Sequence, residues 1–146
     1  MNDSLQTRQN KLAKIAKAFD LDIVYAFGSH ADDVLKWLKD DSYEFSVLSP
    51  SDLDIGMKPG PKRKLSVKEK ARLAIALEDL FLVNRVDLVS LPEADPFLAA
   101  NIIRGERIFS KDSYLADEYD LYILRRAGDL IPLERERIAL IMGEET

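Results

Sequence analysis

Cysteine is absent from this chain, which excludes a disulfide framework, a thiolate metal site and a cysteine nucleophile. Histidine occurs once, at His30, so a metal site would have to be built from oxygen ligands with that one imidazole as the alternative donor. No apolar run approaches the ~20 residues needed to cross a bilayer. The start, Met1-Asn2-Asp3-Ser4-Leu5-Gln6, lacks the basic and apolar sections of a secretory signal. A soluble cytoplasmic protein is the expectation. An excess of positive charge is missing too: 21 Lys and Arg stand against 26 Asp and Glu, a formal net charge of −5. That balance argues against direct nucleic-acid binding through the overall field and leaves room only for a local basic patch. There is no internal repeat and no low-complexity tract.

What is present fits one domain. A chain of 146 residues, 47% of them apolar, can bury one substantial core and is short for two. Helical and strand patterns alternate along it. Residues 5 to 19 place Leu5, Leu12, Ile15, Ala16 and Phe19 at helical spacing, and Leu21 to Phe27 reads as a buried strand. Gly28-Ser29 is the turn that leaves it, with Ser29 expected to cap a helix beginning near Ala31. The pattern dissolves after Trp37 and resumes in a strand carrying paired aspartates. Ser66 with Glu69 forms a capping-box signature before Val67, Ala71, Ala74, Leu77 and Phe81, which are expected to share one helical face. Val86 to Leu91 reads as the third strand. Asp95-Pro96 supplies an N-cap and a first helical residue, Gly105 a helix end, and Arg107-Ile108-Phe109 an edge strand. Beyond Asp112 two helical stretches are expected, separated near Gly128, with Pro132 starting the second.

Three segments carry the chemistry: Gly28-Ser29, Ser51-Asp52-Leu53-Asp54-Ile55, and Val86-Asp87-Leu88-Val89. Side chains alternate along a strand, so Asp52 and Asp54 project to one side while Leu53 and Ile55 turn to the core. If the Asp87 strand lies beside them, three carboxylates form an oxygen-rich site suited to Mg²⁺ with substrate phosphates. Gly28 permits close approach of a phosphate, and N–H groups at the helix start after Ser29 attract an anion. Each piece has a plainer reading. A Gly-Ser pair is commonly only a turn, and Asp-x-Asp a solvated cap. Asp87, set among Val86, Leu88 and Val89, is expected in a largely buried strand, where an unpaired acid is costly. His30 reads as a polar residue of a first helical turn, and Lys58, Lys62, Arg63 and Lys64 as a solvated loop, with contact to a triphosphate as the other reading.

Taken in order, Gly28-Ser29-His30-Ala31, Ser51-Asp52-Leu53-Asp54-Ile55 and Val86-Asp87-Leu88-Val89 resemble the DNA polymerase beta-like nucleotidyltransferase superfamily. More closely, the chain is similar to the stand-alone minimal nucleotidyltransferases of bacteria and archaea, many of which act as antitoxins beside a HEPN ribonuclease toxin. The likeness runs from about Leu21 to Asp112 and includes Ile102 to Phe109. It implies an α/β (α+β) fold: a small mixed sheet flanked by helices, with C-terminal helices. The whole of 1–146 would be one nucleotidyltransferase domain, with a core over about 20–112, a helical section over 113–146 and an insertion over 36–50. Asp52, Asp54 and Asp87 would bind two Mg²⁺ and serve as the catalytic acids, and Gly28 and Ser29 would bind the nucleotide. ATP is the implied donor, and a tyrosine hydroxyl of a cognate HEPN toxin the implied acceptor.

Two departures stand out. Asp32-Asp33-Val34 occupies the place where the family often has a basic residue and glycine, and acids there would repel a polyphosphate unless they point away. The link to Asp-x-Asp is also longer than usual. Two alternatives remain open: a non-catalytic toxin-binding module, and a small-molecule transferase of the aminoglycoside type, against which the short C-terminal section argues.

Overall fold

The computed structural model describes residues 7–44 and 52–141. Leu5, Ser51 and the later part of the expected insertion lie outside those residues. The elements are α1 (Arg8–Ala18), β1 (Leu21–Phe27), α2 (Ala31–Lys39), β2 (Leu53–Pro59), α3 (Val67–Phe81), β3 (Val86–Ser90), a 3-10 turn (Leu91–Glu93), α4 (Pro96–Ile103), β4 (Glu106–Ser110) and α5 (Ser113–Ile141). The expected mixed α/β fold is found. The strands form one sheet in the order β3-β2-β1-β4. β1 runs antiparallel to β2 and β4, and β2 runs parallel to β3.

The sheet is covered on both faces, as the strand alternation requires. Leu21, Val24 and Ala26 of β1 with Leu53, Ile55 and Met57 of β2 meet α1, α2 and α3. Ile23, Tyr25 and Phe27 meet α4 and α5 on the other side. Interior strands β1 and β2 are therefore buried along nearly their whole length.

The helix starts follow local chemistry. Thr7 caps α1 by accepting the Asn10 N–H at 3.2 Å. The capping box at α3 is complete: the Ser66 hydroxyl accepts the Glu69 N–H at 3.1 Å, and the Glu69 carboxylate accepts the Ser66 N–H at 2.9 Å. Asp95 caps α4 through the Phe97 and Leu98 N–H groups, both at 2.9 Å, with Pro96 first in the helix. Gly105 follows α4 as expected, but for a further reason: a Cβ there would strike the Ala26 carbonyl and the Phe27 backbone. Glycine lets the α4–β4 turn press against the end of β1.

Three expectations are corrected. Ser29 does not cap α2; His30 occupies the N-cap position and makes no side-chain capping bond. The buried stripe of α3 is Leu73, Leu77 and Phe81, whereas Val67 is 84% exposed, because it sits at the first turn, beyond the sheet's cover. α5 is a single helix of 29 residues that continues through Gly128 and Pro132. Its first half is docked through Ala116, Ile123 and Ala127, which supplies a stable nucleus. Propagation then tolerates a proline whose interior placement costs roughly 3 kcal/mol.

The chain after α2 is held by Arg8. Its guanidinium donates to the carbonyls of Trp37 and Asp40 at 3.0 Å and of Tyr43 at 2.6 Å, and lies 4.0 Å from the Trp37 ring centre. A cation that also satisfies three backbone acceptors is a strong local anchor. Residues 40–44 are thus tied back to α1.

Candidate active site

The antiparallel and parallel registers decide what meets at one end of the sheet. Phe27 pairs with Asp54, and Asp54 pairs with Asp87. The end of β1, where Gly28 and Ser29 follow, therefore adjoins the starts of β2 and β3. Directly opposed residues point to the same face, so Asp54 and Asp87 share the face covered elsewhere by α4 and α5. Asp52 lies one residue ahead of β2 and is exposed. The three acids singled out in the sequence are brought to one edge, beside the Gly-Ser turn.

Gly28 is required twice over. Its φ is +78°, a region where an L side chain is strained. A Cβ there would also run into the Asp54 carboxylate. The turn and the acid are packed against each other with no room between them.

Asp54 carries the clearest electrostatic signature. Its pKa lies above the ordinary carboxylate value, first because burial strips away water, then because Asp87 and Asp52 add like charge; His30, when protonated, opposes the shift. The acids are crowded and under-compensated, which is the condition a bound cation relieves. Oxygen-only donors in this charge state fit Mg²⁺. Among the described residues, however, no three acid or histidine side chains stand close enough to share an ion in the present arrangement.

Asp87 differs from the expectation. β3 is an edge strand, so its acid is 40% exposed rather than buried, and its Oδ1 lies 3.0 Å from Nε of Arg85. Burial therefore disfavours the charged form at Asp54, not at the half-exposed Asp87. Arg85 was missed, although two residues before Asp87 in an extended segment is the same-face position. His30 is half-buried and places Nδ1 3.7 Å from Asp33.

The two additional acids of α2 differ in where they are engaged. Asp32 lies 3.4 Å from Lys36 one turn on. Asp33 accepts the Tyr43 hydroxyl at 3.0 Å and stays beside His30 at the start of the helix. The basic run is at the other end of β2: Lys58 pairs with Asp22 at 3.2 Å, and Arg63 with Glu69 at 2.5 Å. Lys62, Arg63 and Lys64 are exposed beyond the strand, as the solvated-loop reading expects, whereas Lys58 is corrected: it lies within β2 with its side chain 19% exposed. A cavity of about 640 Å³ lies at that far end, lined by Asp22, Ile23, Lys58, Lys111 and Tyr119 among others.

A second polar cluster, not read from the sequence, joins α5 to the sheet. The buried Tyr25 hydroxyl donates to Asp120, which also faces Arg107 at 3.2 Å; Arg107 in turn reaches Asp117 at 2.8 Å. Burial and the neighbouring Asp120 push the Tyr25 phenol far up. No periodicity announces such a cluster, because its members come from β1, β4 and α5.

Among the described residues no helix is long and apolar enough to cross a membrane. Solved structures with the same fold include a chain of a toxin–antitoxin crystal structure with AMP-PNP: 19% identity, TM-score 0.67, covering 92% of this chain and 98% of that one. A chain of the MntA-HepT toxin–antitoxin crystal structure gives 18% identity and a TM-score of 0.66, with 94% and 98% covered. A chain of a tri-AMPylated Shewanella oneidensis HEPN toxin in complex with MNT antitoxin gives 18% and 0.65, again with 94% and 98% covered. Among curated proteins none matches. The family model described as Polymerase beta, Nucleotidyltransferase matches residues 10–114, a span that contains the whole sheet, the Gly-Ser turn and all three acids, and the chain belongs to that family.

Proposed function

We propose that this protein is a Mg²⁺-dependent nucleotidyltransferase working in the cytoplasm as an antitoxin, transferring AMP from ATP to a tyrosine hydroxyl of a cognate HEPN toxin. The observation that carries the reading is the register that sets Asp54 beside Asp87 and against Gly28 at one end of the sheet. The relatives of like fold support the donor and the partner, since one was crystallised with AMP-PNP and another with a tri-AMPylated HEPN toxin. We read the chain as one such domain, its core over about 20–112 and its helical section over 113–146.

In this mechanism Gly28 and Ser29 hold the terminal phosphates, with backbone N–H groups as donors. Asp52, Asp54 and Asp87 are the residues that would hold two Mg²⁺, and such ions supply charge neutralisation on the triphosphate and a lowered pKa for the attacking hydroxyl. The acceptor oxygen attacks the α-phosphorus, the bond to the β-phosphate breaks and pyrophosphate departs. Asp87 accepts the hydroxyl proton. Positioning and electrostatics carry the rate, because the protein forms no bond of its own to the phosphorus.

The test uses ATP labelled on the α- or the γ-phosphate, Mg²⁺ and host lysate, with Asp52→Asn alongside. Transfer of α-label alone to a small protein, lost in the variant, is the expected result. Absence of protein labelling, with toxin neutralisation kept in the variant, would overturn the catalytic reading in favour of a binding module.

A further inference from the structure

Arg85 stands where nothing in the proposed chemistry uses it. It lies in the link between α3 and β3, and its backbone is held on both sides. Its carbonyl accepts the Leu53 N–H at 3.1 Å, at the start of the strand that carries Asp54. The next N–H, that of Val86, donates to the Glu78 carboxylate at 3.0 Å. From that held backbone the side chain reaches Asp87, Nε to Oδ1 at 3.0 Å. Asp87 is in turn the register partner of Asp54. A guanidinium thus sits on one of the three acids that the metal reading assigns to Mg²⁺.

We propose that Arg85 is a tethered counter-cation that competes with the divalent ion for Asp87. In the absence of metal it compensates the acid that crowds Asp54; when metal enters, the pair with Arg85 opens and Asp87 becomes a ligand. The cation site is then completed by exchange of one positive charge for another rather than by filling a bare acidic cluster. Arg85 is 67% exposed and Asp87 40%, so the pair is the weak, solvent-screened kind that a divalent ion can displace. This inference rests on the metal reading above and adds the residue that regulates it.

Mn²⁺ binding to the whole chain without nucleotide, followed by titration calorimetry, separates the two. Arg85→Gln is expected to bind Mn²⁺ about two- to fivefold more tightly than the wild type, the range an exposed pair is worth. Arg85→Lys, which keeps the charge and loses the Nε–H, is expected between them. Asp87→Asn is expected to bind more weakly, and adding Arg85→Gln to it is expected to restore much less than the same change gains in the wild type. Unchanged or weaker binding by Arg85→Gln, or an equal gain in the Asp87→Asn background, would overturn the competition while leaving the metal site standing. Binding that ignores Asp87→Asn, or no binding by any form, would overturn the metal reading and the competition with it.

Discussion

Asp54 on β2 and Asp120 on α5 are both half-buried carboxylates on the same side of the sheet, and burial raises the pKa of each above the ordinary range. Their neighbours differ. Asp120 accepts the Tyr25 hydroxyl and faces the Arg107 guanidinium, both of which favour its charged form. Asp54 has two further acids beside it and, in opposition among the described residues, the charge of His30. One acid is paired by the fold; the other, among the described residues, is left with more like charge than opposite charge around it. An acid kept uncompensated costs stability, and a fold retains such a cost where a ligand offsets it.

The largest effect should come from exchanging the two roles. Asp54→Asn is expected to cut nucleotidyl transfer at least about a hundredfold while the thermal midpoint stays or rises, because like-charge repulsion is removed. Asp120→Ala is expected to do the reverse: it strips partners from the Tyr25 hydroxyl and Arg107, lowers stability by about 2–3 kcal/mol in urea unfolding, and leaves transfer per folded molecule close to wild type. Gly28→Ala tests the packing that isolates Asp54. It should lose at least about 1 kcal/mol from the positive φ and much of the transfer rate, since the new methyl displaces the carboxylate.

Smaller effects come from pH. A carboxylate whose folded pKa is raised contributes stability that is present at low pH and lost as pH rises through the raised value. Asp54 therefore makes the metal-free protein less stable as pH climbs out of the acid range, and Asp54→Asn should flatten that limb of a urea-midpoint profile. Glu69 has the opposite sign. Its pKa falls to about 2, chiefly through Arg63 and then the Ser66 backbone, so its contribution is complete above the ordinary glutamate value and fades as pH falls through about 2. Ser66→Ala, which breaks the capping box and removes one of the bonds that favour ionised Glu69, should cost about 1 kcal/mol and leave the profile around Asp54 unchanged.

Most of the fold was legible because it rests on short-range signals. The period of β1, the Ser66-Glu69 box and the Asp95-Pro96 start each depend on residues close in sequence, and each appears as expected. The gathering of Gly28, Asp54 and Asp87 was legible through the family resemblance. Their exposures were not, since edge or interior position in a sheet follows from strand order, and apolar neighbours alone placed Asp87 too deep. Gly128 and Pro132 misled in the other direction: local breakers predicted an interruption that the docked half of α5 overrides. The Tyr25-Asp120-Arg107 cluster depends on contacts up to 95 residues apart and leaves no local trace.

The most direct measurement is single-turnover transfer of α-label by wild type, Asp54→Asn and Asp120→Asn, each normalised to the fraction folded. Background transfer by Asp54→Asn with near wild-type transfer by Asp120→Asn is the predicted result. Full transfer by Asp54→Asn would contradict the account, because the acid left uncompensated by the fold would then have no part in the reaction.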